Sequence, residues 1–389
     1  MDERSAWIAL ASVEGVGEET WAKLFEEFGT AGNALAAAAD ARLDAWMKAR
    51  RGADGRVPLD ARALANLRAA AHDPDKLLDE IAARGLWTLT PLDSDYPRRL
   101  RHLDPPPATI HGLGERAALR MARAVAVVGT RAPTVAGRAL AAKVATRLVE
   151  CGAVVVSGLA VGIDGAAHAA TLLAGGTTIG VIGGGHDEPG PRAHARLRAE
   201  VVANGGAVIS EYHPTAGARR GTFPRRNRII AALGDATIVI EAPIRSGARI
   251  TAKRALELGR TVLVAPGRMG DWATAGSLAI LRETPARPLV GLDEMVEDLE
   301  LLEPALVKAP GDAPSGGARP SIEALVAMLG TTEQIVARRL LEGPAALDAI
   351  VADTNLAPAV ASGAVTLLVI RGWAQSVGPA YAVAGALAR

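Results

Sequence analysis

Between residues 122 and about 300, short unbroken apolar runs alternate with longer amphipathic stretches. The runs are Ala124–Val128, Val154–Val156, Thr178–Ile182, Ala207–Ile209, Thr237–Ile240 and Val262–Val264. Runs of this kind, rich in β-branched residues, read as strands buried on both faces. Their alternation with helical stretches predicts right-handed βαβ units and an α/β fold, a doubly covered parallel sheet. Several strands end in turns of small residues: Gly129-Thr130-Arg131, Ser157-Gly158, Gly183-Gly184-Gly185 and Ser246-Gly247. In an open parallel sheet such turns line up along the carboxyl edge, where ligands bind. Backbone N–H groups at the helix starts there suit anions, above all phosphate.

The flanks follow other patterns. Residues 1–75 are helical and rich in Ala, Leu and Arg. Within them Gly15-Val16-Gly17 precedes the amphipathic stretch Glu18–Phe28. Such a turn either offers amides to a phosphate, as in SAM-like and helix-hairpin-helix modules, or simply joins two helices tightly. Residues 85–115 read as a connector with a strand at Leu86–Thr90 and the helix-forbidding run Pro105-Pro106-Pro107. With it, residues 85–300 make up the sheet domain. Residues 301–320, with clustered Pro and Gly, read as a linker. Residues 321–389 form a last small domain, with helical patterns at Ile322–Leu329, Thr332–Leu341, Leu347–Val351 and Ala357–Ile370 and a hairpin over Trp373–Val383. Helices followed by a small hairpin predict a winged-helix-like shape.

Composition narrows the chemistry. The 389 residues carry a net charge of only +1, so polyanion binding must come from a local patch. The single cysteine, Cys151, excludes an intrachain disulfide and any cysteine-based zinc site. The histidines show no ligand spacing, so no metal or other cofactor is expected. The start Met1-Asp2-Glu3-Arg4 does not open a signal peptide, and no uncharged apolar run approaches the roughly 20 residues of a membrane span. The expectation is a cytoplasmic protein that does not contact membranes.

The densest chemical signal is Arg219-Arg220-Gly221-Thr222-Phe223-Pro224-Arg225-Arg226-Asn227-Arg228. Pro224 suits the first turn of a helix, which puts Arg225, Arg226 and Arg228 at the positive end of its dipole. That crowding is unfavourable without an anion. Phe223 among arginines is arranged to stack a base while its phosphate is held. Gly129-Thr130-Arg131 adds a close-approach glycine, a hydroxyl and a guanidinium fork. It is neither the dinucleotide fingerprint nor a P-loop. Ser157, Asp164 and His168 invite comparison with a hydrolytic triad, but Ser157 lacks the Gly-x-Ser-x-Gly elbow and Asp164 can pair with His168 one turn away. Glu241 in the same groove is a lone carboxylate, weak support for hydrolysis.

Together these residues resemble the DNA-processing protein A (DprA/Smf) family. The stretches that carry the likeness are Asp93–Leu100, Val127–Arg131, Ser157–Ala160 with Gly162-Ile163-Asp164 and Ala167-His168, Ser210-Glu211-Tyr212, Phe223–Ala231, and Glu241-Ala242 with Ser246-Gly247 and Thr251-Ala252. The resemblance implies an extended Rossmann core that binds single-stranded DNA, forms a homodimer, protects incoming strands in natural transformation and helps load the RecA recombinase. It implies no catalysis. By position, Gly129, Thr130, Arg131, Ser157, Gly158, Arg219, Arg220, Phe223, Arg225, Arg226, Asn227, Arg228, Ser246 and Gly247 become the DNA-binding set. One stretch departs from the family: Gly276–Leu281 carries Ser277 where a Gly-x-Asn-x-Leu-Ile run is usual.

A second reading is enzymatic: a nucleotide phosphoribohydrolase of the lysine-decarboxylase-like ("lonely guy") group. That group resembles Pro-Gly-Gly-x-Gly-Thr-x-x-Glu at its signature turn, where this chain has Ala242–Gly247 without those glycines or the acid.

Overall fold

The computed structural model describes residues 2–50, 57–188, 190–219, 221–300, 329–370, 373–377 and 380–383, with Ile322 and Val326. The expected linker at 301–320, most of the helical stretch at 322–329, and Arg220 lie outside the described residues. Residues 1–300 form one compact unit and 301–389 another.

A nine-stranded sheet organises the first unit. Its strands are β1 (Trp87–Leu89), β2 (Ile110–Gly114), β3 (Ala124–Val128), β4 (Val154–Ser157), β5 (Thr178–Val181), β6 (Ala207–Ser210), β7 (Ala236–Val239), β8 (Thr261–Val264) and β9 (Arg287–Pro288). They lie in the order β1-β2-β6-β5-β4-β3-β7-β8-β9. From β6 to β9 all neighbours are parallel, while β2 pairs antiparallel with β6 and β1 with β2. Every residue of β3, β4, β5, β6 and β7 is buried, as expected of strands covered on both faces.

The chain steps outward from β3 to β6, then returns to place β7 on the other side of β3. That reversal opens a crevice between the turns after β3 and β7, the usual ligand position in such sheets.

The covering helices are packed in pairs. Six helices precede the sheet: α1 (Glu3–Ala11), α2 (Glu18–Phe28), α3 (Ala31–Ala38), α4 (Ala41–Ala49), α5 (Ala61–His72) and α6 (Pro74–Ala83). The sheet carries the short α7 (Arg98–Arg101), then α8 (Val135–Glu150), α9 (Ile163–Leu173), α10 (Ala195–Ala203), α11 (Thr222–Leu233), α12 (Gly247–Glu257), α13 (Ala275–Glu283) and α14 (Leu292–Glu300). Helix α8 packs on α9, and α11 on α12.

The N-terminal helices bury their own core, including Leu10, Leu24, Leu43 and Leu67, and the Trp7, Trp21 and Phe25 rings cluster against it. Asp or Thr side chains cap all of them except α2, which starts at Gly17. Gly15, at φ +94°, makes the tight turn, and a Cβ there would stand 2.7 Å from that of Ala63. The helices are tied to the sheet by Arg4 to Asp93 (2.5 Å), Trp7 Nε1 to the Ala108 carbonyl (2.7 Å) and Arg84 to Asp187 (2.9 Å).

In the second unit, helix α15 (Thr331–Leu341), strand β10 (Ala345–Ala346), helices α16 (Leu347–Thr354) and α17 (Pro358–Ile370), and strands β11 (Ala374–Val377) and β12 (Ala380–Val383) follow in that order. The three strands form an antiparallel sheet ordered β10-β12-β11. Val336, Leu340, Ile350 and Leu368 bury between the helices. Among the described residues, no single helix is long and apolar enough to cross a membrane.

Candidate nucleic-acid interface

A cleft of about 770 Å3 occupies the crevice at the carboxyl edge. One wall is the turn after β3, Gly129-Thr130-Arg131. The opposite wall is the loop Pro243–Gly247 that leads into α12, and the first turns of α11 close one end.

Each wall is held by backbone geometry that leaves little freedom. Thr130 donates its amide to the Glu241 carbonyl (2.7 Å), which ties the β3 turn to the β7 turn. A Cβ on Gly129 would come within 2.5 Å of Ile163, so only glycine lets the turn approach α9. Ser246 caps α12 by accepting the Ala248 amide (3.2 Å). Buried Ser277 accepts the Ala242 amide (3.1 Å) and so braces the β7 turn from behind. The Ser277 hydroxyl is a strut.

Helix α11 starts at Gly221 without a side-chain cap or an acidic residue in its first turn. Its positive end is left to the surroundings, and those surroundings are arginines. The arginines divide into two kinds. Arg131 and Arg225 are exposed. The Arg131 guanidinium lies over the Phe223 ring, 5.1 Å from its centroid. The Cδ1 edge of that ring packs towards Gly183, where a Cβ would meet it at 2.9 Å. The ring is thus half-buried and fixed at the lip of the cleft.

Arg226 is the opposite case. Only 4% of it is exposed. Its Nη1 donates to the Gly158 carbonyl (2.8 Å) and to the Val181 carbonyl, and its Nε to Asn227 Oδ1 (3.2 Å). Across Gly158 it faces Asp164, whose Oδ2 accepts the Gly158 amide (3.1 Å). Burial pushes Arg226 down to about 10, with Asp164 countering, and burial raises Asp164. Arg226 therefore joins the ends of β4 and β5 and forms the floor of the cleft. Its place was readable: it lies three, four and seven residues before the buried Ile229, Ile230 and Leu233, on the apolar stripe of α11.

Arg228 pairs with the largely buried Glu211 and donates to the Pro105 carbonyl (3.3 Å). Asn227 lines the cleft but spends its amide on the Gly247 carbonyl (3.1 Å).

Of the residues expected on sequence grounds, Gly129, Thr130, Arg131, Phe223, Arg226, Asn227, Ser246 and Gly247 meet around this cleft. Arg219 and Arg225 line a neighbouring one. Ser157, Gly158 and Arg228 line neither. Ser157 is fully buried, its hydroxyl donating to the Val127 carbonyl (2.6 Å), so it has no free group to offer a ligand. Gly158 lies under Arg226. The triple-glycine turn is no anion cradle either: the segment 213–218 and Phe223 cover it, and Gly185 donates to the Ala216 carbonyl (2.7 Å). Arg245 and Ile244, both exposed on the β7 side, went unnoticed in the sequence because lone residues in a loop carry no periodic signal.

Catalytic groups are engaged elsewhere. His168 Nδ1 donates to Thr178 Oγ1 (2.7 Å), not to Asp164, and burial pushes its pKa down to about 3. The Glu241 carboxylate accepts the Thr134 amide (2.9 Å) and the Thr134 hydroxyl, which locks the start of α8. Neither is poised as a general base. Among the described residues, no three His, Cys, Asp or Glu side chains gather where they could hold a metal ion.

The fold and site define an extended Rossmann-like domain with an arginine- and aromatic-rimmed cleft at its carboxyl edge. The family model for DNA recombination-mediator protein A matches residues 87–300, and that for the DprA-like N-terminal helix-hairpin-helix domain matches residues 1–69. The chain is 33% identical to protein Smf of Synechocystis over 91% of its length and 92% of the relative's. It is 35% identical to the putative DNA processing protein DprA of Mycobacterium tuberculosis over 80% of its length and 81% of that protein's. The crystal structure of Streptococcus pneumoniae DprA superposes with a TM-score of 0.62 at 30% identity, covering 77% of this chain and 99% of that one. A Helicobacter pylori DNA processing protein A, solved to study its single-stranded DNA binding mode, superposes at 0.50 with 27% identity over 56% of this chain and 96% of its own. The chain belongs to the DprA/Smf family.

Proposed function

We propose that this protein binds single-stranded DNA along the carboxyl-edge cleft, shields it, and passes it to a RecA-type recombinase during natural transformation. The observation that carries the reading is the Arg131 guanidinium held over the Phe223 ring at the lip of the cleft. A cation resting on an aromatic face suits a base and its phosphate, because the base takes the guanidinium's place on the ring and the guanidinium turns to the phosphate. Exposed Arg245 supplies a second phosphate contact across the cleft, with the uncapped start of α11 at one end. The single-strand binding reported for the Helicobacter pylori relative supports the ligand class. Phosphate contacts release counterions, so affinity falls steeply with salt, and stacking tolerates any base. The protein acts without catalysis, in the cytoplasm and as a homodimer, and the C-terminal unit serves as a winged-helix-like accessory domain.

The test is fluorescence anisotropy with labelled oligo-dT and a duplex of equal length across a salt series. Salt-sensitive binding that favours the single strand supports the reading; equal affinity for the duplex, or no binding at low salt, overturns it. Incubation with nucleoside monophosphates tests the hydrolase alternative: free base released would replace the binding reading.

A further inference from the structure

The first turn of α11 is a ridge between two clefts. Phe223, Pro224 and Arg226 face the cleft described above, whereas Thr222 and Arg225, three residues apart and so on one helix face, line a second. The second cleft, of about 400 Å3, lies between the N-terminal helices and the sheet. Its far wall includes the Gly15-Val16-Gly17 turn and Trp21, and its near wall Glu211, Tyr212 and Arg219. One helix diameter, about 10 Å, separates the two clefts, so a strand held at Phe223 reaches the second by crossing Arg225.

Two polar groups in this lining are left without partners. The Glu211 side chain is 7% exposed; one carboxylate oxygen takes Arg228, while the buried Oε1 accepts no well-aligned hydrogen bond, because the Tyr212 hydroxyl beside the carboxylate donates to the Thr222 carbonyl (3.4 Å). Trp21 packs its ring on Phe25 at 5.4 Å, and its buried Nε1–H has no acceptor. An unpaired buried acceptor or donor costs free energy, and natural structures leave few of them. An acceptor and a donor in one cleft, beside an aromatic Tyr212 and the exposed Arg219 and Arg225, match a nucleobase that carries both an amino and a carbonyl group.

We infer that the cleft between the N-terminal helices and the sheet is a base-reading subsite for the same DNA strand, in which Glu211 accepts from an exocyclic amino group. It favours cytosine, which presents an amino group and a carbonyl, over thymine, which has no amino group. The inference rests on the single-strand reading above and adds a base preference that stacking at Phe223 does not supply.

The experiment is anisotropy with labelled oligo-dC and oligo-dT of equal length, for the full chain and its variants, at one salt concentration and about pH 8.5, where Glu211, pushed up to about 7 by burial, is ionised. Wild type binds oligo-dC about tenfold more tightly. Glu211→Gln keeps an oxygen for Arg228 and turns an amide donor to the ligand, so the preference moves towards oligo-dT. Trp21→Phe, which keeps the aromatic packing, weakens both oligomers. Arg131→Ala weakens both and leaves their ratio unchanged. Thermal melting identifies a Glu211→Gln protein that fails to fold, in which case Trp21→Phe decides. Equal binding of the two oligomers by wild type, or a preference untouched by Glu211→Gln with Trp21→Phe inert, overturns the subsite and leaves the single-strand reading standing. Loss of all single-strand binding in wild type overturns that reading as well.

Discussion

Arg225 and Arg226 are adjacent in the chain and have opposite roles. Arg225 stands in solvent at the start of α11. Arg226 is turned inward, spanning the Gly158 and Val181 carbonyls with Asp164 opposite. A run of arginines in the sequence is therefore a mixture of solvent-facing and structural cations, separated by which face of one helix each occupies. The same division separates Arg131, stacked on Phe223 at the surface, from Arg228, paired with Glu211 inside.

The largest effect expected from this division concerns stability. Arg226→Ala strands Asp164 and two carbonyls in the interior and costs about 3–5 kcal/mol of folding free energy, read from urea midpoints. A midpoint within error of wild type would remove Arg226 from the structural group.

Next comes acid sensitivity of the interior. His111 and His168 are both fully buried and pushed to about 3, against an unperturbed 6.5. The unfolded chain takes up protons that the folded chain refuses. Stability is therefore complete above about pH 6.5 and is lost as pH falls towards 3. Between pH 7 and pH 5 each histidine removes on the order of 2 kcal/mol. His168→Asn should abolish its own share of that slope in urea unfolding followed at both pH values.

Smaller effects belong to the rim. Phe223→Ala should cost about 1–3 kcal/mol of single-strand affinity through the lost stack, with a urea midpoint shifted less than that of Arg226→Ala. Arg131→Ala should cost about 1.5–3 kcal/mol of binding and leave the unfolding curve in place, because Arg131 is exposed and its guanidinium rests on the rim ring of Phe223. If Arg131→Ala and Arg226→Ala proved alike in both assays, the division between rim and floor would fail.

Much of the fold was legible because burial on both faces forces continuous apolar runs. Ala124–Val128 was read residue for residue, and the strands at 154, 178, 207, 237 and 262 lie within a residue or so of their expected bounds. The cleft edge followed from the turns after those strands. Direction was harder to read. Ser157 ends a strand beside a glycine, as a ligand-binding serine would, yet its hydroxyl points back to Val127. The partners of Glu241 and Asp164 lie 107 and 6 residues away, and only the three-dimensional crossing of α8 and α11 over the sheet decides that both carboxylates are spent on structure. The position of the Gly15–Gly17 turn against the sheet had no local signature at all, since it depends on long-range ties such as Trp7 to Ala108 and Arg84 to Asp187.

The central claim is that a single strand lies on the rim at Arg131 and Phe223. Its most direct test is the salt dependence of oligo-dT binding, measured side by side for wild type and Arg131→Ala. One lost phosphate contact predicts weaker binding and a slope of log affinity against log salt that is shallower by about 0.7. An unchanged slope and affinity would place the strand elsewhere on the molecule.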